Sequence, residues 1–163
     1  MYSSFIIPNL AILEKFAKQL VYILQNLPPR DYACVICLDG DIGVGKTTLT
    51  QMIAQNLGIT ETVQSPTFVI KKIYPIANNK FSNLIHIDAY RLDDLNTNLD
   101  TLEFKKDFAN KENLIIIEWP SIIVDSIPDT ALTIILKHKK EGRLVILPSE
   151  ISLPSKNTPI HME

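Results

Sequence analysis

The sequence predicts an α/β fold, a single-domain three-layer sandwich built around a mixed parallel and antiparallel sheet. Three observations carry that prediction. Short apolar, β-branched runs alternate with helical periodicities along the chain. Two pairs of strand-like runs are each joined by a short turn-rich segment, as hairpins are. A hydrophobic content of 46% over 163 residues provides for one sizeable core. The domain is expected over residues 1–147, and the Pro- and Ser-rich stretch 148–163, which has no periodicity, is expected to be a mobile tail.

The elements follow in order. Residues 10–27, "LAILEKFAKQLVYILQNL", place apolar side chains at helical spacing, and Pro28 and Pro29 stop the run. "ACVICLD" (33–39) is a short, β-branched and apolar run up to Asp39 and reads as a buried strand. A glycine-rich turn follows. "KTTLTQMIAQNLG" (46–58) then reads as a helix with Gly58 in the position of a C-cap. "TFVIKKIYPI" (67–76) and "NLIHIDAY" (83–90) are strand-like and form a hairpin. Residues 91–110 are polar with scattered Leu and Phe, which suits one or two short helices. "NLIIIEW" (113–119) is the most apolar strand and ends at Pro120. "TALTIILKH" and "GRLVILP" flank "KKEG" as the second hairpin.

Charge and composition narrow the functional classes. A net charge of −2 and a pI near 5.9 argue against a broad basic surface for nucleic acid. The N-terminus lacks a basic region followed by a long apolar stretch, and no run approaches the roughly 18 apolar residues of a membrane span. A cytoplasmic protein without membrane attachment is expected. Cys34 and Cys37 have CxxC spacing but lie inside a strand, where alternation sends their side chains to opposite faces. Structural thiols are expected rather than a redox or metal site.

Three of the five glycines, Gly40, Gly43 and Gly45, fall within six residues. "GDIGVGKT" (40–47) satisfies G-x-x-x-x-G-K-[ST], with a strand before it and a helix after it. That is the context of a phosphate-binding loop. Backbone N–H groups and the helix start cradle phosphates. Lys46 reaches the β- and γ-phosphates, and the Thr47 hydroxyl suits Mg²⁺. The sandwich is therefore expected to be P-loop NTPase-like.

Such a loop needs further acidic groups for the metal or its water, commonly at neighbouring strand ends. "LIHID" and "LIIIE" end in Asp88 and Glu118. If both strands run parallel to "VICLD", their ends converge beside the loop. Arg91 and Arg143 are weaker phosphate candidates, each more often a surface ion pair. His86 shares a strand face with Asp88, but packing or ordinary hydrogen bonding is the simpler reading of it. Ser65 and Thr67 in "QSPTF" belong either to a simple turn or to a loop that senses the γ-phosphate. A GTPase is unsupported, because Asn79-Lys80-Phe81-Ser82 and Asn110-Lys111-Glu112-Asn113 both lack the aspartate of N-K-x-D. A small-molecule kinase remains the alternative, although three arginines are few for its phosphate lid. A compact ATPase fits best.

"GDIGVGKTTLTQMIAQNLG", "VQSPTFVI", "IHIDAYRL", "LIIIEWP" and "EGR" occur in an order and at spacings that resemble the TsaE (YjeE) ATPases, over residues 9–147. The resemblance implies an ATP-hydrolysing component, slow alone, for threonylcarbamoylation of adenosine 37 in tRNAs reading codons that start with A. It would act with TsaB and TsaD, which carry out the transfer, so tRNA is met through the complex. It implies ATP contacts from Gly43, Val44, Gly45, Lys46, Thr47 and Thr48. Thr47 and Glu118 become Mg²⁺ ligands, and Asp88 acts on the metal's water shell or the attacking water. Lys46, Asp88 and Glu118 are thus the catalytic set. Ser65 and Thr67 become a switch element, Trp119 and Arg143 lie near the nucleotide, and the segment with Leu10 packs by the adenine.

Overall fold

The computed structural model describes residues 2–66, 70–77, 79–92 and 103–151. Seven strands form one mixed sheet in the order β1-β7-β6-β2-β5-β4-β3. The strands are β1 (Tyr2–Ile7), β2 (Cys34–Asp39), β3 (Lys71–Pro75), β4 (Asn83–Asp88), β5 (Asn113–Glu118), β6 (Leu132–Lys139) and β7 (Gly142–Pro148). The helices are α1 (Leu10–Asn26), α2 (Lys46–Asn56) and α3 (Phe104–Ala109), with a 3-10 segment at Pro120–Ser126.

The parallel centre consists of β4, β5, β2 and β6, and both expected hairpins, β3–β4 and β6–β7, are antiparallel. The all-apolar strands occupy the middle because both their faces are covered. On one face, Ile36, Leu38, Leu114 and Ile116 pack against Leu13, Leu20, Leu49 and Ile53 of α1 and α2. On the other, Val35, Ile115 and Ile117 pack against Phe104 of α3 and Ile123 of the 3-10 segment. Each buried leucine or isoleucine contributes about 1.5–3 kcal/mol. Cys34 belongs to the first cluster and Cys37 to the second, so alternation along β2 does separate the thiols. Both are free and buried.

The helix over 10–27 is found at Leu10–Asn26. The Asn9 side chain caps it by accepting from the Ile12 N–H at 3.0 Å. The helix after the loop closes with paired bonds, Gly58 N–H to Gln55 O and Ile59 N–H to Ala54 O, each 3.0 Å. Of the strand read over 67–76, β3 occupies Lys71–Pro75, and residues 67–69 lie outside the described residues. Of the short helices read over 91–110, α3 is found, while residues 93–102 lie outside the described residues.

One strand carried no sequence signal. β1 pairs antiparallel with β7 at the sheet edge, and only Ile7 is buried along it. A strand with one buried side chain shows no alternation to read. It is held by the ladder to β7 and by an edge-on contact of Phe5 with Phe16, ring centres 5.5 Å apart. At the other end of the chain, packing continues past residue 147. The Ile151 N–H bonds Pro148 O at 3.0 Å and its side chain is fully buried. Residues 152–163 of the expected tail lie outside the described residues. No helix among the described residues is long and apolar enough to cross a membrane.

Candidate functional site

Register brings the acids to the glycine loop. β5 is parallel to both neighbours, and its last residue, Glu118, stands opposite Leu38 of β2 and Asp88 of β4. The loop leaves β2 one residue beyond Leu38. Both strand-end carboxylates therefore meet the loop at the C-terminal edge of the sheet, where open α/β sheets bind ligands. Asp88 and Glu118 are each only 3% exposed.

The loop is shaped from within. Gly40, Gly43 and Gly45 have φ of +143°, +76° and +105°, a region costly for other L-residues. Asp39 Oδ1 accepts the Gly40 N–H at 2.9 Å. Gly45 precedes α2 without a side-chain cap, so no side chain competes for the first-turn amides. Lys46 is almost fully buried. Its Nζ donates to the carbonyls of Gly40 (2.6 Å) and Asp41 (2.8 Å) and lies 3.9 Å from the centre of the Trp119 ring. Two of its three N–H donors are thus spent on the loop, leaving the third for a ligand. Burial pulls the Lys46 ammonium below its ordinary value of 10.5, and the nearby carboxylates, Glu118 first, pull it back up.

The two acids are differently held. Glu118 Oε2 accepts from Thr47 Oγ1 at 3.0 Å, and Oε1 stands 2.8 Å from His86 Nε2. Asp88 Oδ2 accepts from Ser65 Oγ at 2.5 Å, and Oδ1 accepts the Tyr90 N–H at 3.1 Å. Trp119, directly after Glu118, adopts a left-handed φ of +60°. Such a conformation costs about 1–2 kcal/mol and persists where its surroundings demand it. Here Lys46 and Tyr90 do so, the Tyr90 ring lying 5.1 Å from that of Trp119.

A cavity of about 390 Å³ opens over these groups. Among the sequence candidates, Gly43, Gly45, Lys46, Thr47, Thr48, Ser65, Asp88, Glu118 and Trp119 line it. Val44 is fully buried beneath the loop, so its side chain supports the loop from inside. Arg143 lies outside the cavity lining but close behind it. A Cβ on Gly45 would be 3.6 Å from its guanidinium carbon, and its buried Nη1 has no hydrogen-bond partner among the described residues. Leu10 begins α1, is 56% exposed and does not line the cavity. It lies on the Arg143 side, since Gly142 packs against Ile7 and Pro8. Arg91 is also outside the lining, and Thr67 lies outside the described residues.

Sequence reasoning passed over Tyr90, Ile42 and the site role of His86. Tyr90 and Ile42 line the cavity; they fall inside the motifs "IHIDAYRL" and "GDIGVGKT", but at positions whose residue type marks no phosphate or metal chemistry. His86 shared a strand face with Asp88, and that was its signal. The donor set is hard oxygen, one hydroxyl and one carboxylate beside space for phosphates. Among the described residues no three His, Cys, Asp or Glu form a metal cluster. The Thr47 hydroxyl and the Glu118 carboxylate are hard-oxygen donors of the kind that could hold a cation such as Mg²⁺.

Known proteins of one family resemble the chain. The family model for threonylcarbamoyl adenosine biosynthesis protein TsaE matches residues 7–145. A Haemophilus influenzae tRNA threonylcarbamoyladenosine biosynthesis protein TsaE is 30% identical over 149 residues, 90% of this chain and 89% of the relative. A protein of the same description from Borreliella burgdorferi is 34% identical over 81% of this chain and 89% of the relative. The Bacillus subtilis protein of that description is 38% identical over 104 residues, 64% of this chain and 61% of the relative. Among solved structures, Bacillus subtilis YdiB superposes with a TM-score of 0.68 at 27% identity, covering 90% of this chain and 84% of that one.

Proposed function

The chain belongs to the TsaE family of tRNA threonylcarbamoyladenosine biosynthesis proteins, and from that premise we propose that it is the ATP-hydrolysing component of the modification. One observation carries the proposal. Thr47, directly after the loop lysine, lies 3.0 Å from the strand-end carboxylate of Glu118, with Asp88 beside it in register. A turn that binds bare phosphate needs neither acid, whereas metal-assisted attack of water on a nucleoside triphosphate uses both.

ATP would lay its phosphates on the amides of residues 43–48, with the third Lys46 donor on the β- and γ-phosphates. Thr47 and Glu118 would hold Mg²⁺, which supplies charge neutralisation on the phosphate oxygens. Asp88, held at the strand end by Ser65 and the Tyr90 N–H, would orient the attacking water. Ser65 thereby couples the segment before β3 to the water-orienting acid, as a switch element would. Arg143 and the start of α1 would flank the base and ribose side. With three arginines in the chain, none lining the cavity, little positive charge is available to the transition state beyond Lys46. Turnover by the chain alone is therefore slow, and TsaB and TsaD homologues complete or license the site.

The test is reconstitution of tRNA threonylcarbamoyladenosine with TsaB and TsaD homologues, with and without this chain, while inorganic phosphate is measured. Phosphate release and modification should both depend on the chain and both vanish in Lys46→Ala. Modification that proceeds equally well with Lys46→Ala would refute the ATPase assignment. Hydrolysis that requires an added metabolite would favour a kinase.

A further inference from the structure

Glu118 is gripped at both carboxylate oxygens, and only one grip comes from the phosphate loop. Thr47 Oγ1 holds Oε2, while Oε1 is met by His86 Nε2 at 2.8 Å. His86 lies on β4 opposite Ile116 of β5, one strand over from Glu118 and two residues before Asp88. Its ring is fully buried and Glu118 is 3% exposed, so bulk water cannot replace the bond. A nitrogen at that distance from a carboxylate oxygen must carry the hydrogen, because a lone pair there would repel the oxygen. Nε2 therefore donates. Nδ1 then has no partner among the described residues. A leucine would fill this apolar strand position without the unpaired ring nitrogen, which ordinarily costs about 1–3 kcal/mol, but it would leave Glu118 Oε1 without its donor. Core filling does not explain this histidine, whereas its contact with the site carboxylate does.

We propose that His86 is a positioning residue that fixes Glu118 Oε1, so that Oε2 is presented beside Thr47 toward the metal of the bound nucleotide. The proposal rests on the Mg-ATP reading above. The glutamate's terminal torsion is broad and roughly two-fold, so a carboxylate held at one oxygen alone can turn that oxygen away. Holding the other oxygen removes this freedom before the metal arrives. His86 itself does not line the cavity. It acts through Glu118 and touches neither nucleotide nor reacting atoms. Partners of this kind typically change metal affinity by about 10–100-fold.

The experiment follows nucleotide binding to the full chain by the fluorescence of Trp119, the chain's one tryptophan. ADP is titrated in EDTA and then across a Mg²⁺ series for the native chain, Glu118→Ala, His86→Leu, His86→Asn and His86→Gln. Thermal midpoints are recorded in parallel. In EDTA the His86 variants should bind ADP as the native chain does. His86→Leu and His86→Asn, whose amide is too short to reach Oε1, should need about tenfold more Mg²⁺ for half-maximal enhancement. His86→Gln carries a donor at the depth of Nε2 and should restore the requirement to within about threefold of native. Combined with Glu118→Ala, His86→Leu should add nothing. An unchanged Mg²⁺ requirement in His86→Leu would overturn the proposal, as would a shift that persists without Glu118. If His86→Leu does not fold, the contrast between Asn and Gln decides in the same way, and equal requirements overturn the proposal. If Mg²⁺ has no effect on the native chain, the Mg-nucleotide reading fails and takes the proposal with it. A response to Glu118→Ala but not to the His86 variants defeats the proposal alone.

Discussion

Gly40 and Gly43 belong to one loop, and replacing each by alanine should damage different properties. A Cβ at Gly40 would collide with the Leu136 carbonyl oxygen and stand 3.1 Å from its carbon and 3.2 Å from Val44 Cγ1. Leu136 is fully buried in β6 and paired with the equally buried Val145, so the obstacle cannot retreat cheaply. The positive φ costs about 1–2 kcal/mol, and crowding a packed interior about 1–3 kcal/mol. Stiffening of the unfolded chain offsets about 0.4–1 kcal/mol. The net loss for Gly40→Ala is about 3 kcal/mol, a large share of a typical 5–15 kcal/mol stability. At Gly43 only the conformational cost applies, because nothing lies within 4 Å of the new methyl. The loss there is about 1 kcal/mol or less. Gly43 borders the cavity, however, so its methyl enters space that phosphates would occupy. Urea unfolding at a shared m-value measures the first effect, and nucleotide titration by Trp119 fluorescence the second. Gly40→Ala should unfold at markedly lower urea. Gly43→Ala should unfold near native but bind nucleotide at least about tenfold more weakly, a difference of some 1.4 kcal/mol. Equal destabilisation by the two substitutions, or native nucleotide affinity in Gly43→Ala, would refute this reasoning.

Two further predictions concern titratable groups. Burial, and secondarily Asp39, pushes the Cys37 thiol up to about 12, and burial raises Cys34 as well. Neither should react with a thiol reagent at neutral pH until urea unfolds the chain; reaction in the folded state would contradict the structural assignment of both. For Lys46, burial holds the folded pKa below the unfolded 10.5, so between the two values the unfolded chain carries more protons and stability rises with pH. The rise is at most about 1.4 kcal/mol per pH unit for one proton. Relative to Lys46→Met, the native chain should therefore gain stability as pH climbs toward 10.5, and a relative loss over that interval in matched denaturant titrations would contradict it.

Most of the sheet was legible because its central strands are buried on both faces and therefore apolar without interruption between their ends, as "CVICLD" and "NLIIIE" are. Amphipathic α1 was legible from its spacing, with buried residues at 13, 16, 17, 20, 21 and 24. β1 was not, because an edge strand with a single buried residue is stabilised by its ladder to β7 and leaves little trace in its own composition. The packing of Ile151 was hidden for a related reason: one anchor residue among prolines and serines has no period. At the site, the loop, Asp88 and Glu118 were readable as strand-end chemistry. Tyr90 was not, since its place in the cavity wall depends on the left-handed turn of Trp119 one strand away.

The sequence by itself determined that a nucleoside triphosphate is the expected ligand, because the glycine spacing, the lysine and the hydroxyl encode a backbone shape and its charge within eight consecutive residues. It also determined the family, through motifs spread from residue 9 to residue 147. Only the tertiary structure decided which partners each acid meets. Parallel register sets Glu118 between Leu38 and Asp88, so that it faces Thr47 on one side and His86 on the other, while Asp88 is turned to Ser65 and Tyr90. Local sequence encodes local backbone geometry, but which carboxylate oxygen meets which partner depends on contacts between residues tens of positions apart, and these exist only once the strands are paired.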